Sequence, residues 1–231
     1  QADAAAGSGP GAGKAGCYNY CGGNAASHAG YGGYGQSQSS SNYQTVIYGS
    51  VMNPKDLGSG GGAGDYSAGS SYGGAGGGSI QINLTGTLTL DGEITSDGQA
   101  GGDTNEPGAG GSGGSVYITT NTLTGSGAIT AHGGSGRDKS YDSAGASGGR
   151  IAVYYANSSY TGSMLAYGGD GFASATEGGA GTIYTKDTSN NTSTLRTENY
   201  PGRDDYYTYI NNTVGGGLAD EVFDDLAIIN G

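Results

Sequence analysis

Cys17 and Cys21 are the only cysteines of the chain, and their C-x₃-C spacing is not the C-x-x-C of redox or zinc sites. A zinc ion would need two further ligands, and the only histidines are His28 and His132. The spacing favours a local Cys17–Cys21 disulfide, with two free thiols or a metal site as the alternatives. A disulfide belongs in an oxidising compartment. Gly110-Gly111-Ser112-Gly113-Gly114 fits the G-x-S-x-G nucleophile elbow, which needs a strand before it, a helix after it and a downstream acid and histidine. Here a strand follows, and His132 is the only histidine downstream, so a Gly-rich corner is the plainer reading. Gly108 to Gly113 fits G-x-G-x-x-G, but no helix follows to present its amides to a pyrophosphate.

Metal and acid–base chemistry fare no better. Gly133-Gly134-Ser135-Gly136-Arg137-Asp138 starts like the calcium nonapeptide of β-rolls, yet Ser140 stands where a large apolar residue is required, and there is one copy. The acids Asp204, Asp205, Asp220, Glu221, Asp224 and Asp225 could hold a loose calcium ion through oxygen, but read more simply as solvated surface. Asp91, Glu93, Asp97, Asp103 and Arg150 could be cast as a polysaccharide-cleaving set on a β-helix, but nothing in their spacing pairs an acid with a base. The sequence therefore assigns no catalytic residue, no metal ligand and no cofactor, and the chain is expected not to be an enzyme.

Composition bounds what can position such residues. Of 231 residues 53 are Gly, while Leu, Ile, Val and Phe total 28, or 12%. That lies below the roughly 20% at which disorder is suspected. A net charge of −12 is too small to hold the chain open, so an elongated fold that buries a little from each of many short strands is the alternative to disorder. With 8 Lys+Arg against 20 Asp+Glu, no basic patch exists to neutralise phosphates, so nucleic acid is excluded as a partner. No apolar run approaches the roughly 20 residues of a membrane span. The chain opens on Gln1 with no signal h-region, as a processed or excised piece would.

Three phrases recur in step. Ile80, Val116, Ile151 and Ile183, each two residues after a glycine, are spaced 36, 35 and 32 apart. Ile94, Ile129 and Met164 are each 35 apart, and Gly-Gly pairs follow them at 101, 133 and 168. Residues 84–90 alternate Leu/Gly with Thr, the period of two of a strand with one dry face. The reading is all-β: a Gly-rich β-solenoid, parallel β-helix-like, of about three coils with a repeat of about 35 residues, the Gly runs supplying tight corners at positive φ or packing backbone against backbone. The alternative is a β-sandwich. Thr87 and Thr89 return at Thr122 and Thr124, with Asn157 and Ser159 in the third unit, and would stack into an outward ladder.

Residues 1–45 contain no Leu, Ile, Val, Met or Phe and cannot build a core of their own; they are disordered or packed as extended chain against something else. Residues 46–186 form the repeat domain. Residues 187–231 are acidic and Tyr-rich and close on an apolar stretch, Val222 to Ile229, that reads as a final strand, acting as a cap or offered to a neighbour.

The runs 113–118, 127–134 and 148–155 resemble the Gly-rich repeat regions of very large secreted or cell-surface microbial proteins. That resemblance implies an extracellular, structural or adhesive role. The sequons at Asn83, Asn157, Asn190, Asn191 and Asn211 fit a secreted glycoprotein. Of the 19 Tyr, those outside the repeat point to an interaction surface: Tyr31, Tyr34, Tyr206, Tyr207 and Tyr209, joined by Phe223 and Ile228. The expected function is an extracellular, self-assembling fibre or matrix subunit, with itself as partner. The alternative is an adhesin module whose partners are glycans.

Overall fold

A computed structural model describes residues 5–17, 21–37, 46–64, 71–200 and 223–229. These contain ten β-strands and no helix: β1 (Ser79–Asn83), β2 (Thr87–Thr89), β3 (Glu93–Thr95), β4 (Ser115–Thr124), β5 (Ala128–Thr130), β6 (Arg150–Ser158), β7 (Ser163–Leu165), β8 (Thr182–Asp187), β9 (Thr192–Glu198) and β10 (Asp225–Ile229). With no helix present, none of the described residues forms one long and apolar enough to cross a membrane.

The fold is a β-solenoid. A larger sheet runs β1-β4-β6-β8-β9-β10 with β2 beside β4, and a smaller one runs β3-β5-β7. The repeat phrases stack as parallel neighbours, with Ile80 on Val116, Val116 on Ile151 and Ile151 on Ile183. In the smaller sheet Ile94 lies on Ile129 and Ile129 on Met164. There are about four turns rather than three, the fourth supplying only β8 before β9 folds back antiparallel against it. The parallel pairing rules out the sandwich. Val116, Ile118, Leu123, Ile129, Ile151, Val153 and Ile183 belong to one buried cluster joining the two sheets, and a stacked fold can be held by so few apolar residues because each turn covers its neighbour.

The Gly runs pack backbone against backbone, the second of the two expectations. They are not tight corners: among the described glycines only Gly9, Gly49 and Gly125 have positive φ. In each turn the chain arrives at the long strand along one straight Gly-rich segment (71–77, 108–114, 143–149, 176–181). It leaves the short strand along another (96–102, 131–136, 166–171). These segments pair with no ladder. Instead, successive amides bond different neighbours with a period of three. In 108–114, Ala109 and Ser112 donate to 58–64, Gly110 and Gly113 to 143–149, and Gly111 and Gly114 to 96–102. In 143–149, Ser143, Ala146 and Gly149 donate to 131–137, Ala144 and Ser147 to 21–29, and Gly145 and Gly148 to 176–181. A period of three is that of a polyproline-II-like extended chain, which has no internal hydrogen bonds and must find its partners outside. The result is a bundle of parallel and antiparallel extended chains lying beside the apolar core.

The N-terminal segment belongs to this bundle. Residues 21–30 are all buried, with Asn24 bonding to Lys14, Ala25 to Gly33 and Ala26 to Gly110. So it packs as extended chain against the repeat and needs no large apolar side chains: Gly, Ala and Ser fill most of the space between backbones this close, with Asn24 and His28 also buried. Ala25, Ala109, Ala144 and Ala146 form their own buried cluster. Residues 46–57 then strap across the outer face of the larger sheet, where Val51 packs with Ala152, Tyr184 and Leu195.

Candidate functional site

Two clusters of side chains rise above this backbone scaffold. The first joins the N-terminal segment, the strap and β6. His28 is fully buried, and its ring stacks on Tyr48 with centroids 4.5 Å apart. Its Nδ1 lies 2.8 Å from the Gly113 carbonyl, so the network assigns the proton to Nδ1. Nε2 meets no hydrogen-bond partner among the described residues. Arg150, also fully buried, donates from Nε to the Tyr48 carbonyl at 3.0 Å and from a terminal nitrogen to Thr182 Oγ1 at 3.2 Å. Gly49 closes the cluster at φ 79°. A Cβ there would lie 2.9 Å from Asp56 Oδ2 and 3.1 Å from His28 Nε2. Burial, with Arg150 nearby, pushes His28 down to about 3, against the pull of the Gly113 carbonyl. The imidazole is therefore neutral throughout the physiological range and acts as a strut. Burial likewise pushes the Tyr48 hydroxyl up.

The second cluster is a column on the side of the solenoid at the repeat spacing, with Asp97, His132 and Tyr167 each 35 residues apart. Asp97 accepts from the His132 amide at 2.6 Å and from Thr130 Oγ1 at 3.1 Å. His132 Nδ1 accepts from the Tyr167 amide at 3.0 Å, and the two rings stack at 5.1 Å. Tyr200 meets Tyr167 edge-on at 5.6 Å and is half exposed. Burial holds His132 below its ordinary value against the opposing charges of Asp97 and Glu93. Burial and Glu198 raise Tyr167. The cluster amounts to an aromatic ledge rimmed by carboxylates. Sequence reasoning missed it although the signal, an Asp, a His and a Tyr in register with the repeat, was present.

The sequence-picked groups are spread out. Ser112 sits mid-chain in 108–114, where its Oγ accepts from the Ser59 amide at 2.8 Å, a structural clasp rather than an elbow. The G-x-G-x-x-G run lies in the same extended chain, and Gly133, Gly134 and Gly136 lie in 131–136. The acids and Arg150 do not converge. Asp103 pairs with Lys139 at 3.0 Å on the surface, Asp97 serves the column, Asp91 and Glu93 face solvent, and Arg150 is buried. Among the described residues no cluster of His, Cys, Asp or Glu gathers as metal ligands would. The Thr ladder forms, with Thr87 on Thr122 and Thr122 on Asn157, and Ser159 Oγ bonding Thr124 Oγ1 at 3.2 Å.

Cys17 and Cys21 are joined as a disulfide with Cα atoms 5.2 Å apart. Asn83, Asn157, Asn190 and Asn191 are exposed, though Asn190 Nδ2 is engaged by Asp187 at 2.9 Å. Asn211 lies outside the described residues, as do Tyr206, Tyr207, Tyr209, Asp204, Asp205, Asp220 and Glu221. Tyr31 and Tyr34 are half-buried where 31–36 packs on 176–179. Phe223 packs edge-on against Tyr184 at 6.0 Å, and Ile228 is exposed on β10. Asp224 accepts from the Ser193 amide and hydroxyl at 2.6 and 2.9 Å, which holds its carboxyl below the usual range. No family model, no curated protein and no solved structure matches the chain.

Proposed function

We propose that the protein is an extracellular structural subunit that self-assembles into a fibre or matrix. One observation carries the reading: among the described residues the solenoid is a stack with an open strand at each end of its larger sheet. Among the described residues β1 pairs only with β4, and β10 only with β9. Open strands are templates for further pairing unless they are charged, bulged or covered. On β10, Leu226 and Ile228 are 55% and 64% exposed. The disulfide and the exposed sequons support an extracellular setting. The charge of −12 opposes self-association, so assembly should strengthen as salt screens it. Electron microscopy and sedimentation across a concentration series test the reading. Filaments whose length grows with concentration, and with salt from about 0.01 to 0.15 M, are expected. Isolated particles under every condition would end it.

The ledge of His132, Tyr167 and Tyr200 favours a second reading, a glycan-binding adhesin, since flat rings rimmed by carboxylates suit sugar faces. Under that reading glycan-array signal is lost on Tyr200→Ala while no polymer forms at any concentration; signal unchanged by the substitution would dismiss it.

A further inference from the structure

The glycines of the solenoid stand in columns, and each column explains itself except at its head. A Cβ on Gly114 would fall on the carbonyl oxygen of Gly78 in the turn before, one on Gly149 on that of Gly114, and one on Gly181 on that of Gly149. In the second column a Cβ on Gly127 would fall on the Gly92 carbonyl and one on Gly162 on the Gly127 carbonyl. Each of these positions must be glycine because the backbone of the preceding turn occupies the side-chain site. Gly78 and Gly92 head the two columns, and nothing lies within 4 Å of where their Cβ atoms would be. Gly86, in the same first turn, is equally open. None of the three has the positive φ that would call for glycine on its own account. The first turn thus carries the glycines of an interior turn without the turn that would require them.

The rest of that end has the same character. Along 71–78 the period of three leaves Tyr72, Ala75 and Gly78 exposed and 71, 74 and 77 buried, so one face of the extended chain is left over. Ile82, Leu88 and Ile94 pack on the core but are only half-buried, whereas the residues stacked on them in the next turn, Ile118, Leu123 and Ile129, are fully buried.

We propose that this first-turn face docks a second copy of the chain, whose β10 continues the larger sheet beyond β1. The proposal rests on the self-assembly reading and names its contact. Both strands are five residues long, and they are the two ends of one strand order. β10 runs parallel to β9, and β9 antiparallel to β8. A copy shifted along the stack with its sheet faces aligned therefore sets β10 antiparallel to β1 of the next. Leu226 and Ile228 meet the open end, and the contact buries at once two edges that have no further strand partner among the described residues. Because the two surfaces differ, the contact is head-to-tail and propagates.

The test uses the full chain in two variants, Gly78→Val/Gly92→Val on one end and Ile228→Lys on the other, followed by sedimentation and thermal melting. Both variants are expected to melt as the native chain does, since valine enters open space and Ile228 is exposed, and each alone is expected to remain monomeric. Mixed in equal amounts they should give a 1:1 dimer and nothing larger, because each retains the surface the other has lost. Native filaments together with Gly78→Val/Gly92→Val filaments of the same length would overturn the docking face and leave self-assembly standing. A native chain that is monomeric at every concentration would overturn both.

Discussion

Gly113→Ala is expected to destabilise the protein by about 3 kcal/mol or more, although it adds a single methyl group. Replacing glycine by alanine ordinarily stabilises a compatible site by about 0.4–1 kcal/mol, because the unfolded chain loses freedom. At Gly113 the added Cβ would fall on the Ala131 carbonyl and 2.5 Å from the Gly149 amide nitrogen. Both are backbone atoms of neighbouring bundle chains, and no rotamer change can move them. Relief requires separating the chains, which lengthens the bonds from Gly113 to Ser147 and from Gly149 to Ala131. It also disturbs the His28 Nδ1 contact with the Gly113 carbonyl. Overpacking of apolar cores costs about 1–3 kcal/mol where side chains can adjust; here there is less to adjust. For a chain of this size the loss corresponds to a fall in Tm of about 6–12 °C. Gly92→Ala is the matched control, because its Cβ enters open space. A Gly113→Ala protein melting within about 2 °C of that control would show that the bundle yields more easily than its close spacing implies.

The solenoid half was legible because its signal is carried by side chains. Ile80, Val116, Ile151 and Ile183 recur at nearly constant spacing, and in a stacked fold equal spacing means direct contact. The bundle half was legible only as one of two alternatives, and the reason is physical. Its information is the absence of side chains, and runs such as 108–114 read equally well as flexible corners. What distinguishes them is a period of three in hydrogen bonding, which leaves only a faint mark in sequence: Ala109 and Ser112 three apart, or Ser143 and Ala146. The same ambiguity covered residues 21–30, where the missing apolar residues left disorder and extended packing against the repeat both open. Their burial is achieved mainly by backbone on backbone, with Asn24 and His28 the larger side chains that find room.

The candidate sites divide the same way. The column of Asp97, His132 and Tyr167 obeys the 35-residue spacing and could have been found by extending the repeat comparison to polar positions. The meeting of His28, Tyr48 and Arg150 could not, since His28 and Arg150 are 122 positions apart, from 150 − 28, and belong to no common repeat phrase. Only the packing of the N-terminal chain into the bundle brings them together. Arg150, weighed from sequence as the basic group of a cleavage site, is instead fully buried. The long strand begins at this residue, so its side chain points to where the strap crosses.

That buried imidazole makes stability fall with acid in a defined window. His28 is held at about 3 in the folded protein, against about 6.5 in the unfolded chain. Between those values the unfolded chain binds a proton that the folded protein refuses, so stability is highest above pH 6.5 and declines as the pH drops towards 3. At about 1.4 kcal/mol for each pH unit, the loss attributable to His28 between pH 6.5 and 4 is about 3 kcal/mol. Asp56, Arg150 and Tyr48 surround the ring, and Arg150 is the group that most opposes a second positive charge there. His28→Asn separates this effect from the carboxylates. Its side-chain amide can still donate to the Gly113 carbonyl but does not titrate, and it forfeits the stack on Tyr48. The variant should be less stable than the native chain at pH 7. It should then lose about 3 kcal/mol less on going to pH 4, read from urea unfolding at the two pH values, because the carboxylates are common to both proteins and cancel in the difference. Parallel losses in the two proteins would mean that the cluster admits a proton or water more readily than its burial indicates, and that His28 is not the strut that holds the N-terminal chain to β6.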